Sequence, residues 1–288
     1  MKLGQIVSMV LAAVALSGCS SLEFLNTVSG TPAVAPVTLA YGEAQRQRVD
    51  IYPQPVAGIG AGAPVIVFFY GGAWASGVRT DYAFVARTFH DLGYVVAIPD
   101  YRLTPEVVYP SFVQDSAAAV QLVMDRVREY GGDPDRVVLA GHSAGAYNAS
   151  MLAMDARWLP QAVRQRIRGV VGLSSPVNFL PIQMPEARPA FSWPNTPVDT
   201  QPIAHVSAAA PPMLLITAQR DPLVDPEINS QALAARLKAV GADVTVETFD
   251  GPFGLITHAN IVATLSDRFR FLAPTIARIS AFVERVTR

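Results

Sequence analysis

The stretch RVVLAGHSAGAYNASMLA, residues 136–153, places one serine between glycines at the junction of a predicted strand and a predicted helix. In Gly141-His142-Ser143-Ala144-Gly145 the small neighbours let the chain turn sharply without colliding with the strand and the helix that it joins. The turn exposes the Ser143 hydroxyl beside a helix N-terminus, whose free N–H groups favour negative charge. The pentapeptide also occurs by chance, so an ordinary glycine-rich turn is the alternative, but its position after VVLA and before an Ala/Met-rich helix favours a nucleophile.

Predicted strands and helices alternate through the rest of the chain. Continuous apolar runs are typical of strands buried on both faces, and they occur at residues 64–70, 94–100, 136–141, 169–174 and 212–218. Two segments that follow predicted strands are predicted helices. One begins with a predicted capping box of Ser111 and Gln114, and the other has Asp225 as its N-cap. Strands joined by helices need crossover connections, so we expect one α/β domain with a mostly parallel central sheet and helices on both faces.

The composition and the motifs argue against nucleic acid as a partner and against a bound metal or cofactor. The chain has 288 residues, 51% of them hydrophobic and 16% charged, with a net charge of −1. No basic block is present, so nucleic acid is not an expected partner. The sequence shows no His/Cys/Asp cluster at metal-ligand spacing and no phosphate-binding glycine loop, and we expect the chemistry to need no cofactor or metal.

The N-terminus has the features of an export signal. Lys2 precedes an apolar run over residues 6–16 and a small-residue ending. Leu16-Ser17-Gly18-Cys19 resembles a bacterial lipobox, which implies lipid attachment at Cys19; an ordinary signal peptide with an incidental cysteine is the alternative. We predict a signal peptide at 1–18, a tether at 19–38 and a folded domain at 39–288, held by its lipid at a bilayer of the bacterial envelope, at the outer membrane or the periplasmic face.

One segment interrupts the alternation of strands and helices. Residues 175–210 are rich in proline and contain Phe191 and Trp193. So long a connection in a compact domain is usually a lid or binding loop, and a surface insertion without function is the alternative. We predict a short Pro-rich cap whose two aromatic side chains contact substrate.

The domain at 39–288 resembles the α/β-hydrolase fold and, within it, the carboxylesterase and arylformamidase-like branch. The matching stretches are GGAWASG, DYRLTPEVVYP, GGDPDRVVLAGHSAGA, DPLVD and THANIVATLSDRFR, in family order. In this fold the nucleophile is followed by an acid and then a histidine. After Ser143, Asp221 and Asp225 are the candidate acids; Asp225 already serves as an N-cap, which favours Asp221. His258 is the one histidine that follows, and it is the predicted base.

The resemblance also implies donors for an oxyanion. One is the backbone N–H of Ala144, directly after the nucleophile. YGGAW, residues 70–74, stands where the family has His-Gly-Gly-x-Trp, so Gly72 and Ala73 are the other candidates. The departure is Tyr70 in place of the motif histidine, which leaves the geometry of this loop open. Trp74 and His142 are predicted to line the substrate pocket.

Two classes of function follow from these residues. The first is a serine hydrolase that cleaves carboxylic esters of small molecules through an acyl-enzyme, with arylformamidase or another amide hydrolase as the alternative within that class. The second is a binding protein of the envelope that kept the fold without catalysis. The second class predicts a missing triad member, and the sequence lacks none.

Overall fold

A single eight-stranded sheet organises the part of the chain that the computed structural model describes, residues 18–30, 32, 34–55 and 62–288. Its spatial order is β1-β2-β4-β3-β5-β6-β7-β8. The strands are β1 Val37–Ala40, β2 Arg48–Tyr52, β3 Ala63–Phe69, β4 Val95–Pro99, β5 Gly132–His142, β6 Ile167–Leu173, β7 Met213–Ala218 and β8 Val244–Phe249.

The sheet is parallel from β4 to β8, and β2 pairs antiparallel with both β1 and β4. The side chains of β4 and β7 are buried throughout, because helices cover the sheet and their apolar runs have no solvent face. The parallel strands all end at one edge of the sheet, which we call the carboxyl edge; the opposite one is the amino edge. The predicted α/β-hydrolase architecture is confirmed.

Helices surround this sheet. The longer ones are α1 Gly18–Ser29, α2 Ala83–Asp91, α3 Ser111–Arg126, α4 Ala144–Met154, α6 Ala232–Ala239 and α7 Thr275–Val286, and α5 is the single turn Gln161–Arg164. The predicted capping box of α3 is wrong, because Pro110 occupies the N-cap position and no side chain caps the helix. Asp225 does cap the turn after it: its Oδ1 accepts the N–H of Glu227 at 2.9 Å.

Part of the predicted tether is folded. Residues 18–29 form α1, and β1 begins at Val37, inside the segment that the sequence assigned to a linker. The helix is held by tertiary contacts: Leu25 is buried, and Asn26 Nδ2 donates to the carbonyls of Thr80 and Asp81. These partners lie more than fifty positions away along the chain, so local composition gave no sign of them.

The predicted signal peptide covers residues 1–18; residues 1–17 lie outside the described residues, as does the Cys19 side chain, and Gly18 is the first residue of α1. Among the helices that the structure describes, none has the length and apolarity needed to cross a bilayer.

Candidate active site

Ser143 stands on a strained turn at the carboxyl end of β5. Its backbone angles are φ 52° and ψ −122°, outside the regions that residues with a side chain normally occupy. α4 begins at Ala144, and Gly145 brings this helix so close to β3 that a Cβ there would lie 2.1 Å from the carbonyl oxygen of Phe69. The glycine is therefore needed for the close approach, and the strain is stored at the hydroxyl-bearing residue.

Three side chains predicted from the sequence meet at this turn. His258 Nε2 lies 2.8 Å from Ser143 Oγ, and His258 Nδ1 lies 2.8 Å from Asp221 Oδ2. All three residues are buried, at 6–7% exposure. The Nδ1 proton can be donated only to the carboxylate, so Nε2 is left unprotonated and able to accept the proton of the serine hydroxyl.

The Asp221 carboxylate is held by its own loop as well as by His258. Its Oδ1 accepts the backbone N–H groups of Leu223 at 3.0 Å and Val224 at 2.8 Å. Burial alone would raise the pKa of this carboxyl, but the hydrogen bond and charge of His258 and the N–H of Val224 outweigh it and lower the pKa below its ordinary value. Asp221 therefore stays ionised where it orients His258, whereas Asp225 serves as a cap.

The loop after β3 packs directly on this turn. A Cβ at Gly71 would lie 3.1 Å from the Cβ of Ser143, so the loop backbone contacts Ser143. Ala73 and Trp74 both have positive φ, 51° and 56°, although neither is glycine. Strained backbone of this kind persists where the surroundings enforce it, as at binding and catalytic loops.

Tyr70 anchors that loop from behind. Its hydroxyl donates to Asp100 Oδ1 at 2.9 Å and accepts from Arg46 Nη2 at 2.8 Å, and its own carbonyl accepts the hydroxyl of Tyr101 at 2.8 Å. Arg79 holds the same carboxylate through its backbone N–H at 2.7 Å. The tyrosine is fully buried, and burial raises the pKa of its phenol, which stays protonated as a donor. The Tyr70 phenol therefore holds this loop in place, at the position where the resemblance led us to expect a histidine.

Tyr70→Phe is expected to lower the free energy of unfolding by about 1–3 kcal/mol, because Asp100 and Arg46 each lose a buried partner. The rate constant kcat should fall only a few-fold, since the Tyr101 hydroxyl still holds the Tyr70 carbonyl. Urea unfolding and ester kinetics measure the two effects. Tyr94→Phe, a buried tyrosine at the amino edge, is the control and should leave kcat unchanged.

The His142 side chain contacts the backbone of His258. Its Nε2–H donates to the backbone carbonyl of His258 at 2.9 Å, which fixes the tautomer, and its Nδ1 is buried without a hydrogen-bond partner next to Gly71. Burial, and then the nearby charge of His258, lower the pKa of His142 to about 3. His142 therefore stays neutral and adds no repulsion when His258 takes up a proton.

His142 should make the fold sensitive to acid. Between about pH 6.5 and 3 the unfolded chain binds a proton at this residue and the folded chain does not, so stability should fall as pH drops, by about 1.4 kcal/mol per pH unit. In His142→Gln, which keeps an N–H donor, this contribution should vanish while kcat stays near the parent value. His142→Leu removes the donor and should lower kcat. Equal pH slopes for parent and Gln variant would contradict the assignment.

A cavity of about 300 Å³ opens at the Ser143 turn. Ala73 and Trp74 line one side, and the predicted cap supplies much of the rest, from Pro176 to Ala187. The remaining wall is the loop after Asp221, including Leu223 and Ile228. The lining is mostly apolar, with few groups that could hold a charged substrate.

One side chain joins the cap to the acid loop. Asn229 is buried and lines the cavity, and its Oδ1 accepts the backbone N–H groups of both Val177 and Asn178 at 2.9 Å. The two walls of the cavity are therefore fixed to each other.

Three residues predicted to line the substrate pocket do not line this cavity: His142, which contacts the backbone of His258 instead, Phe191 and Trp193. Phe191 is 2% exposed and packs edge-on against Trp74, with ring centroids 4.7 Å apart. Trp193 is partly buried against the core. Phe191 joins rings from distant parts of the chain in a cluster that fastens the cap to α3 and α4: Trp74, Tyr109, Phe112, Tyr147 and Phe179. Its burial there gives Phe191 a structural position.

The sequence reasoning also missed residues that the structure brings to the site. Asn148 is one of them: its Oδ1 accepts the Nε1–H of Trp74 at 3.1 Å, which orients the indole of this predicted pocket residue at the cavity wall. Leu223, Val224 and Ile228 lie two, three and seven positions after Asp221, and this short distance along the chain was the available signal. Across the described ranges no cluster of three or more His, Cys, Asp or Glu could hold a metal ion.

The BD-FAE family model matches residues 49–237, which hold Ser143, Asp221 and the loop after β3. The chain belongs to the BD-FAE family. His258 lies beyond the matched region. The match therefore covers the sheet from β2 to β7 and the cap.

Curated relatives of this BD-FAE chain carry esterase names. Esterase LipQ of Mycobacterium tuberculosis is 30% identical over 225 residues, covering 71% of this chain and 53% of LipQ. Carboxylesterase NlhH of the same organism is 28% identical over 255 residues, covering 80% of this chain and 77% of NlhH. A probable isoprenylcysteine alpha-carbonyl methylesterase of Arabidopsis thaliana is 27% identical, covering 78% of this chain and 51% of that protein. The chain spans about half the length of LipQ and of the plant relative.

Solved structures share the fold of this BD-FAE chain. Esterase 2 of Thermogutta terrifontis with butyrate bound superposes with a TM-score of 0.72 at 19% identity, covering 88% of this chain and 94% of that one. A truncated carbohydrate esterase from gut microbiota gives a TM-score of 0.69 at 17% identity, covering 88% and 100%. At these identities the likeness supports the α/β-hydrolase fold.

Proposed function

We propose that the protein is a serine hydrolase of carboxylic esters, with Ser143 as nucleophile, His258 as base and Asp221 as orienting acid. The observation that carries this proposal is the continuous chain of two 2.8 Å contacts from Asp221 through His258 to Ser143, at the wall of an apolar cavity. The esterase names of the relatives support the same reaction class.

In the proposed mechanism Ser143 Oγ attacks the ester carbonyl carbon while its proton passes to His258 Nε2. The carbonyl oxygen becomes an oxyanion, to which the N–H groups of Gly72, Ala73 and Ala144 are the candidate donors. The first N–H groups of a helix have no partner within it, so that of Ala144 is available. When the C–O bond breaks, His258 gives this proton to the leaving alcohol. Water then attacks the acyl-enzyme while its proton passes to His258, and His258 gives that proton to Ser143 Oγ as the carboxylic acid is released.

The apolar cavity supports neutral esters with an apolar acyl or aryl group as substrates. Its position between the cap and the acid loop supports Trp74, Leu223 and Ile228 as the substrate-contacting residues of this proposal, in place of Phe191 and Trp193. Arylformamides stay the alternative within the same chemistry.

Fluorophosphonate labelling tests the proposal. The parent chain should be labelled and Ser143→Ala should not, because the reagent forms its bond only with an activated serine. Hydrolysis of p-nitrophenyl esters of increasing acyl length, with a formyl-aryl amide alongside, then separates esterase from formamidase. A parent chain that takes up no label would favour the binding-protein hypothesis instead.

We also propose that Cys19 is acylated and that the protein is a lipid-anchored envelope protein. The lipobox-like Leu16-Ser17-Gly18-Cys19 supports this. Mass spectrometry of the N-terminal peptide from bacterial membranes should show a diacylglyceryl or triacylated cysteine, and Cys19→Ala should lose it. An unmodified Cys19 in the mature chain would contradict the anchor.

A further inference from the structure

The first helix lies against the domain along one face. Leu22, Leu25, Asn26 and Ser29 recur at helical spacing and face inward: Leu25 is buried, and the Ser29 hydroxyl shares a 2.7 Å hydrogen bond with that of Ser266. The helix is thus fixed to the domain and does not act as a flexible linker.

The contacts also fix the direction of α1. Asn26 Oδ1 accepts the N–H of Phe84 in the first turn of α2 at 3.0 Å, and Gly30 lies against Arg87, one turn further along α2. These two contacts, the second to the guanidinium group of Arg87, indicate that the two helices run in the same direction. α2 starts at the carboxyl edge, because it follows β3 and leads back to the start of β4. The N-terminal end of α1 extends ~12 Å beyond Asn26 towards that edge, at 1.5 Å per residue.

The sequence joined to this end is the apolar run of residues 6–16. If the chain is processed at Cys19 and acylated, as proposed above, or keeps this run, the membrane-inserted group is attached at the N-terminal end of α1; cleavage as an ordinary signal peptide would leave no such group. The attachment point therefore lies on the same edge of the sheet as Ser143.

That edge also carries exposed apolar side chains around the cavity. Leu223 and Ile228, which line the cavity, are 55% and 52% exposed. Phe253, in the loop between β8 and His258, is 92% exposed, and Phe271, beside the same loop, is 59% exposed. Phe253 and Phe271 expose aromatic rings at this edge, which suits insertion into the apolar phase of a bilayer, and the anchor expected at the same edge favours a bilayer over a protein partner.

We propose that the carboxyl edge rests on a lipid bilayer, with Phe253 and Phe271 inserted into it and the cavity opening towards the membrane. The substrates would then be neutral esters dissolved in the bilayer, which enter between Leu223 and Ile228 without crossing water. This substrate class rests on the proposed esterase function; the orientation does not.

The orientation is tested with the full chain reconstituted in phosphatidylcholine vesicles. Single substitutions Phe253→Cys and Phe271→Cys are labelled with the fluorophore NBD and quenched by lipids that carry a nitroxide on the acyl chain. Leu92→Cys and Val240→Cys are the matched controls, since both residues are exposed apolar positions at the amino edge. The parent, labelled in the same way, corrects for any free thiol at Cys19.

Strong quenching at 253 and 271 with little at 92 and 240 is the expected result. Equal quenching at all four positions, or stronger quenching at 92 and 240, would overturn the proposed orientation. The readout does not depend on catalysis, so it stands whatever the enzyme hydrolyses.

Kinetics test the substrate class. The double substitution Phe253→Ser/Phe271→Ser should leave kcat/KM for soluble p-nitrophenyl butyrate unchanged and lower the hydrolysis of a long-chain p-nitrophenyl ester embedded in the vesicles by about tenfold. The pair Leu92→Ser/Val240→Ser should change neither rate. If the parent fails on both substrates, the esterase function itself is wrong; if both doubly substituted chains hydrolyse the embedded ester at the parent rate, only the membrane-facing substrate class is wrong.

Discussion

Ser143→Ala is expected to lower kcat/KM for p-nitrophenyl butyrate by about 10⁴–10⁶-fold, because among the described residues no other hydroxyl is bonded to His258 Nε2. The residual rate should not respond to fluorophosphonate. Stopped assays at high enzyme concentration are needed to measure so large a loss.

A second substitution at the same position separates the effect of losing the hydroxyl from the effect of backbone strain. Ser143→Gly should be as inactive as the alanine variant, yet its free energy of unfolding should be higher by about 1–3 kcal/mol, since glycine adopts φ 52° and ψ −122° without strain. Alanine keeps the strain and is the control. Equal stability of the two variants would show that the turn stores no strain.

Asp221→Asn is expected to lower kcat by about 10⁴-fold with little change in KM. The asparagine carbonyl can keep the N–H groups of Leu223 and Val224, which directs its NH₂ group towards His258. His258 Nδ1 must then accept a hydrogen bond, so the ring proton moves to Nε2 and the base can no longer take the serine proton.

The control for this substitution is Asp250→Asn, which changes a surface carboxylate paired with Arg220 and should leave kcat unchanged. An asparagine side chain has nearly the same size and shape as the aspartate that it replaces, so unfolding by urea at neutral pH should show only a modest loss of stability. A kcat within tenfold of the parent would identify a different acid, and Asp225→Asn would then be the next variant to measure.

The central strands and the order of the catalytic candidates were predictable from sequence. Strands such as β4 and β7 are buried on both faces, so their whole length is apolar and the pattern needs no tertiary information. Asp221 was separable from Asp225 because Asp225 stands directly before a predicted helix as its N-cap, whereas Asp221 matches the position of the acid in the α/β-hydrolase resemblance.

The first helix and the burial of Phe191 could not be predicted, because both depend on contacts between distant segments of the chain. The first helix has no charged residue in either end turn, and it is held by Asn26 and Ser29, whose partners are far along the chain. Phe191 was predicted to face substrate because an aromatic residue in a loop is often a binding residue. Its burial follows from rings on α3 and α4, which no local pattern reports.

Tyr70 shows the same limit within a recognised motif. The sequence marked the position as unusual, but its partner Arg46 comes from the segment before β2 and its other partner Asp100 from the end of β4. Only the sheet order, which sets β4 between β2 and β3, brings the three together.

The two hydrogen bonds that Asn229 accepts from the cap have a consequence for how the cavity of this protein can change during evolution. A substitution at residues 177–178 that changes the shape of the cavity should also shift Asn229 and the loop that holds Asp221. We therefore expect a change in substrate range to be accompanied by a change in kcat. Laboratory evolution of the cap should therefore recover compensating changes near position 229. Grafting a cap from a relative should succeed only when residues 222–229 are transplanted with it.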